Sequence, residues 1–560
     1  AKTFTLAYTK ERMTTSQQPV SAPSLTWRSS CLNPRHTYLD LWSGFGGASR
    51  YLASNHGVHM TALNLSSVEN ERHRQLNERT GSSDTITITD SNFKDIPFPY
   101  KHFDIILSQI VFFVAFSLLY LTQMKEVFDD VQAAITASTG WFFILSVNLY
   151  LVLVIYLIFS RYGHIRLGGT DARPEFSTWG WFSMLFSAGM GIGLVFWSVA
   201  EPIYHFSSPP WGAASTPEAA ELAMGITFFH WGLHAWGLYA LIALGLAYFA
   251  FNRALPLTIR SVFHPMLDER IHGPIGNAID ILAAVATLFG LATSLGLGAQ
   301  QVNAGLDYLF SIGQGNTQQI ILIAAITLMS TSSVVLGLDR GIRRLSELNM
   351  ILAFFLLLFV FLAGPSFHLL DALLQNVGTY LSNFLKLGLW TEAYDKQGTW
   401  QHSWTIFYWA WWIAWSPFVG IFIARISRGR TIREFLLGVL LVPTSMTFLW
   451  LTIFGNSALF GELYGGTRIV LAVNANVSTA LFVLLYSLPL AALTSGLSVL
   501  VITIFFVTSS DSASLVIDII TAGGHSEPPT IQRVFWASTE GIVAVVLLIG
   551  GVKRTANRRY

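Results

Sequence analysis

The residues with the most chemistry in their spacing are aromatic. Trp231, Trp236 and Tyr239 stand in the run FHWGLHAWGLYA (229–240), and Trp409, Trp412 and Trp415 recur at every third position of FYWAWWIAW (407–415). On a helix of 3.6 residues per turn the first three lie at about 0°, 140° and 80°, so they share one face. A cation with no N–H to donate cannot be held by hydrogen bonds. An aromatic face attracts it with about 0.5–2 kcal/mol per ring, and a cage adds several such contributions. The alternative is an aromatic belt, which collects tryptophan at the edges of a bilayer. Trp231 and Trp412 fall well inside their apolar runs, where a belt residue should not be.

Glycine supplies the second pattern. In SAGMGIGLVFWSVAEP (187–202), Gly189, Gly191 and Gly193 occupy alternate positions of an apolar run. Each costs a helix about 1 kcal/mol against alanine. Glycines two apart do not share a helix face, so helix dimerisation through small residues accounts for them poorly. They fit a locally unwound segment whose carbonyl oxygens are free, or simple close packing. Glu201-Pro202 should mark the end of this run. Thr508 and Ser509 in FFVTSSDSAS (505–514) are hydroxyls in an otherwise apolar run. Such hydroxyls either bond back to their own helix or converge with carbonyls on a hard cation. His230 and His234 have the i, i+4 spacing of a helical zinc pair. With no third ligand nearby in sequence, core packing or orientation of the neighbouring indole is the better account. The single cysteine, Cys31, excludes an intramolecular disulfide framework and a cysteine metal site.

The elements that must carry these residues are membrane helices. The 560 residues are 52% hydrophobic and only 12% charged, about half the charge of a soluble chain. The mean hydropathy is +0.51. Apolar runs of about 20 residues separated by short charged loops define a polytopic α-helical membrane protein. Eleven spans are expected, near 105–122, 141–160, 180–200, 222–251, 279–309, 319–338, 349–370, 402–424, 434–456, 488–520 and 533–551. An amphipathic surface helix is expected over 376–390. Arginines concentrate in alternate loops: Arg161, Arg166 and Arg173; Arg253, Arg260 and Arg270; Arg340, Arg343 and Arg344; Arg425, Arg428, Arg430 and Arg433. The opposite loops hold only Lys125, Lys386, Lys396 and Arg468. This asymmetry implies a cytoplasmic N-terminus. The basic tail 552–560 would then lie outside, which points to a foreign tail or a missing twelfth helix. The net charge of +1 gives no reason to invoke nucleic acid.

Before residue 105 the composition is that of a soluble protein. LDLWSGFGGASRYLA (39–53), TALNLS (61–66) and TITITDSNFKDIPFP (85–99) read as strand, glycine turn, helix and further strands. That is the opening of a nucleotide-type α/β unit. This piece (1–104) resembles the class I S-adenosylmethionine-dependent methyltransferases, and within them the betaine-forming sarcosine/dimethylglycine enzymes. The resemblance puts Asp40, Gly44 and Gly46 around the methionine moiety, Asn64 near the ribose and Asp90 near the adenine. Trp42 stands where the first loop glycine is expected, and the likeness stops near Gln109. A vestigial, noncatalytic fragment is therefore expected.

Residues 105–551 resemble the betaine/carnitine/choline transporter family, carried by GMGIG (189–193), FHWGLHAWGLYA (229–240), the tryptophan-rich run 404–435 and FFVTSSDSAS (505–514), in the family's order. The resemblance implies an inverted repeat of two five-helix units preceded by two further helices. It implies a secondary transporter in the cytoplasmic (inner) membrane, not an enzyme, with no cofactor beyond a coupling ion and with trimers common among relatives. The substrate would be glycine betaine or a related quaternary ammonium compatible solute, with choline, carnitine and ectoine as alternatives. By resemblance Trp231, Trp236, Tyr239 and Trp412 form the cage, and Phe407, Trp409, Trp411 and Trp415 line or support the route. The backbone of Gly189, Met190, Gly191 and Gly193 would meet the substrate carboxylate. One sodium site would use Ser187, Met190, Phe505, Thr508 and Ser509. A second would use Thr287, Ser294 and Phe418, but Leu291 replaces an expected threonine, so either the stoichiometry differs or Thr293 compensates. The GMGIG form and the lack of a buried acid suited to proton relay in the site helices favour sodium over protons, with Asp511 expected at the cytoplasmic end of its span. Alternatives are proton-coupled choline transport, sodium-coupled ectoine or carnitine transport, a membrane-tethered methyltransferase and a nonfunctional chimera. No osmosensing is expected, because the regulatory tails of some relatives have no counterpart here.

Overall fold

A computed structural model describes residues 37–41, 50, 53–54, 59–64, 67–90, 121–189, 191–336, 342–395, 399–521 and 530–556. The chain divides into two compact units, 1–115 and 116–560.

In the first unit three strands, β1 (Thr37–Leu41), β2 (His59–Asn64) and β3 (Ile86–Asp90), form a parallel sheet in the order β1-β2-β3. Helix α1 (Ser67–Thr80) connects β2 to β3, as a parallel crossover requires. Asn64 pairs with Asp90 at the carboxyl ends of β2 and β3, and Asp40 is the penultimate residue of β1. Ligands of open α/β sheets bind beyond this edge. Trp42, Gly44 and Gly46 lie outside the described residues.

The second unit is helical. Among the described residues, eight helices are long and apolar enough to cross a membrane. This is a multi-pass membrane protein. A helix satisfies its own backbone polar groups, which lipid cannot do. Helix α2 (Leu121–Phe159) shows the division of faces. Val147, Leu151, Val154 and Ile158 are buried, whereas Leu149, Val152, Tyr156 and Phe159 are exposed. The buried set repeats at helical spacing, and the exposed set is apolar because lipid, not water, bathes it. The first expected span, near 105–122, lies almost wholly outside the described residues.

The glycine run divides its span into α3 (Thr178–Gly189) and α4 (Ile192–Ser207). Here one expectation fails. Glu201 and Pro202 lie within α4, and Glu201 is fully buried. The next span is also divided, into α5 (Pro217–Trp231) and α6 (Leu233–Arg253), because Gly232 is not helical (φ −98°, ψ −139°). A Cβ at Gly232 would come within 2.4 Å of the Phe228 carbonyl oxygen and 3.0 Å of the Phe448 ring.

Three helices follow: α7 (Pro274–Phe310), α8 (Asn316–Leu336) and α9 (Ile342–Ala363). The amphipathic element begins at Ser366, ten residues earlier than expected, because Gly364-Pro365 ends α9. It comprises α10 (Ser366–Ser382) and α11 (Phe384–Leu389). Then come α12 (Thr405–Ile426) and α13 (Ile432–Leu451), which continues through a π-turn at Thr452–Asn456 into α14 (Ser457–Tyr464). The short α15 (Ile469–Ala475) and α16 (Ala480–Tyr486) precede α17 (Ala491–Thr521) and α18 (Thr530–Ala556). Asp511 is not at an open end of α17. It is buried, and its carboxylate accepts the Ser333 hydroxyl at 2.8 Å.

Three basic loops meet on one side of the bundle. Arg166 donates to the Gly429 carbonyl (2.6 Å), Arg430 to that of Phe176 (2.7 Å) and Arg433 to that of Ile158 (2.7 Å). Asn252 clamps the first loop by donating to the Arg166 carbonyl and accepting from the Gly168 N–H.

Candidate substrate site

Helix α4 begins beside the aromatic helices. Its N-cap, Gly191, is extended (φ −151°, ψ 178°) and no side chain caps it. The first turn therefore presents backbone N–H groups without intrahelical partners, at the positive end of the helix dipole. Gly191, Gly193 and Leu194 form one wall of a cavity. A Cβ at Gly193 would lie 2.8 Å from the Trp411 indole and 3.3 Å from that of Trp231. Glycine is needed there because two rings press on the backbone.

The aromatic lining comes from three helices. Trp231 ends α5, Trp236 and Tyr239 follow on α6, and Trp411, Trp412 and Trp415 face the same cavity from α12. The break at Gly232 means that Trp231 belongs to a different helix segment from Trp236 and Tyr239, yet all three converge. Trp231 packs edge-on to Trp412 (centroids 4.9 Å), Tyr239 packs on Trp236 (5.5 Å) and Trp411 stacks on Trp412 (5.1 Å). Ser294 of α7 reaches the same cavity.

Two aromatic residues take other places. Trp409 is buried against Phe229 and His234 (5.3 and 5.9 Å) and does not line the cavity. Phe407 is half-buried and packs on Trp411 (5.7 Å). Gly189 is the last residue of α3, and Met190 lies outside the described residues.

The cage rings are tethered from behind. The Glu201 carboxylate accepts the Trp231 indole N–H (2.7 Å) and the Tyr408 hydroxyl (2.5 Å) on one oxygen. Its other oxygen faces His230 Nδ1 (2.7 Å) and His205 Nε2 (3.3 Å). His230 Nε2 meets the Thr405 hydroxyl (3.1 Å), and the His230 carbonyl accepts the Trp412 indole N–H (2.9 Å). A buried acid does therefore stand in a site helix, engaged by four partners. His230 and His234 face different partners. His234 turns to Asn148 (3.3 Å), because the interruption at Gly232 breaks the helical phase between the two. Glu201 was missed because its partners are 4, 29, 30 and 207 residues away. The available signal was an acid and a histidine four apart in an apolar run, and ionisable residues inside membrane helices are seldom idle.

The hydroxyls lie on α7 and α17, which pack along each other. Thr287 donates to the Ala283 carbonyl (2.9 Å), Ser294 to that of Gly290 (3.3 Å) and Thr508 to that of Ile504 (2.9 Å). Phe505 is buried, Ser509 is half-buried and Phe418 packs on Trp415 (5.4 Å). Ser187 lies in the last turn of α3. Helices α4, α7 and α17 meet at Gly298, where a Cβ would touch Ile192 and Phe506, each at 3.0 Å. Leu291 is buried on the face shared with Thr287 and Ser294. Thr293 cannot replace it: one residue out of phase, it is exposed and donates to the Phe289 carbonyl.

Residues 103–556 match the family model described as betaine/carnitine/choline family transporter. The chain belongs to the betaine/carnitine/choline transporter family. A glycine betaine/proline/choline transporter of Vibrio parahaemolyticus is 47% identical over 459 residues, covering 79% of this chain and 82% of the relative. The glycine betaine transporter of Acinetobacter baylyi is 46% identical, covering 79% and 67% respectively. A probable glycine betaine transporter of Desulfitobacterium hafniense is 44% identical, covering 78% and 88%. A methyltransferase domain model matches residues 39–133, a fragment at the N-terminus. The protein is thus a transporter of this family and not an enzyme.

Proposed function

We propose that this family member imports glycine betaine, or a closely related quaternary ammonium solute, by sodium symport. The observation that carries the reading is the cavity between the α4 N-terminus and the indoles of Trp231, Trp236, Trp411 and Trp412. A zwitterion with a methyl-capped cation at one end and a carboxylate at the other matches its two walls. The rings take the cation. The free N–H groups of the first α4 turn take the carboxylate. A carboxylate on the cavity surface would instead repel the anionic end, and Glu201 is kept behind the rings.

Sodium would bind between the end of α3 and α17, through Ser187, Met190, Phe505, Thr508 and Ser509. A hydroxyl that donates to its own helix keeps lone pairs for a hard cation. Thr287, Ser294 and Phe418 would hold a second ion less well, because the buried Leu291 offers no oxygen. The proposed frame is the inverted repeat of two five-helix units after two further helices, with the three joined basic loops cytoplasmic. Trimer assembly belongs to the same proposal.

Uptake of radiolabelled betaine by proteoliposomes, with and without an inward sodium gradient, tests the reading. Accumulation that requires sodium is the expected result. No betaine uptake would end the substrate assignment, and uptake indifferent to sodium would end the symport assignment.

A further inference from the structure

We infer that Glu201 is the positioning residue and buried counter-charge of the aromatic cage, and that it sets the preference for a cationic headgroup over a neutral one of the same shape. This deepens the proposed function and rests on it.

The geometry is specific. Glu201 is fully buried in α4, ten residues beyond the N-cap that opens onto the cavity. Each oxygen of its carboxylate faces two partners, which an ionised, acceptor-only group satisfies when both histidines present an N–H to it. One of those partners is the indole N–H of Trp231, whose ring forms a cavity wall. A second is Tyr408, whose ring lies 5.7 Å from both Trp231 and Trp412. A third, His230, offers its backbone carbonyl to the Trp412 indole. One carboxylate therefore fixes the orientation of the rings on α5 and supports those on α12.

The electrostatics add to the positioning. An indole that donates to a carboxylate gains electron density on its face, the property that attracts a cation. The negative charge stands one ring behind the cavity, where little water screens it. Direct contact would also repel the substrate carboxylate; the indole between them prevents this. Glu201, His205 and His230 lie close enough to share a metal ion. Such an ion would take the place of the two histidine contacts on one carboxylate oxygen and would leave Trp231 and Tyr408 on the other, so the tether to the cage does not depend on it.

The test compares betaine with 3,3-dimethylbutanoate, its carbon isostere, in which a neutral carbon replaces the charged nitrogen. Affinities are measured on the full chain by tryptophan fluorescence and by competition for betaine uptake. In Glu201→Gln, betaine should bind about tenfold more weakly while the isostere changes by less than about twofold. A purely structural role would weaken both ligands together, leave their ratio at the wild-type value and overturn the inference. If Glu201→Gln does not give monodisperse protein, Glu201→Asp decides. It keeps the charge and shortens its reach, so it should retain the preference for betaine with a raised KM; loss of that preference would overturn the inference. Failure of betaine to bind the wild-type chain would remove the substrate reading and this inference together. Binding with an unchanged ratio in Glu201→Gln would remove only the role given to Glu201.

Discussion

The aromatic wall and the hydroxyl-bearing helices hold their polar groups in opposite ways. On the aromatic side, the indole N–H groups of Trp231 and Trp412 reach across helices, to Glu201 and to the His230 carbonyl. On the other, Thr287, Ser294 and Thr508 all donate within their own helix. The first arrangement fixes ring positions before any ligand arrives. The second leaves oxygen lone pairs uncommitted and ties no helix to another. Preorganisation thus belongs to the aromatic side, while on the hydroxyl side the proposed ion would have to supply the link between helices.

The strongest way to break this contrast is Trp412→Ala. It removes a cage ring and the tether to His230 at once, and betaine affinity should fall by about 30-fold or more. Uptake kinetics on protein shown to reach the membrane measure this; unchanged KM would mean that the rings are scaffold. Gly193→Ala should come next. Its methyl group would press on Trp411 and Trp231, so uptake should drop while protein yield holds. Wild-type uptake would show that the α4 opening is not shaped by those rings. Thr508→Ala sharpens the other side. Half-maximal uptake should require several-fold more sodium, with betaine affinity at saturating sodium little altered. An equal effect on both would contradict the separation of cage and ion. The smallest effect belongs to Thr293→Ala, within about 0.5 kcal/mol in stability and without influence on sodium dependence. A marked loss of sodium response would restore Thr293 as a ligand.

Much of the helical architecture was legible in the residues. Apolar runs define helices in lipid whatever their partners, and alternate glycines weaken a helix whatever surrounds them; the break before Ile192 falls within the glycine run. Thr287, Leu291 and Ser294, taken from the family resemblance, do share one face of the continuous α7. Helical phase failed where a helix is interrupted, so His230 and His234 part company at Gly232. Amphipathic boundaries also slipped, since apolar side chains on α9 and α10 look alike until Gly364-Pro365 separates them. Trp409 could not be told from Trp412 by spacing, because their different surroundings come from other helices.

The sequence by itself determined the membrane setting, the family and the residue types available for cation and ion contact, since these follow from composition and from local motifs. Tertiary structure alone decided which aromatic rings share a cavity, that Thr293 faces away, and that Glu201 is buried behind the cage instead of closing a span. Those outcomes depend on contacts between residues as far apart as Glu201 and Tyr408, and a distance of that kind becomes short only when the helices pack.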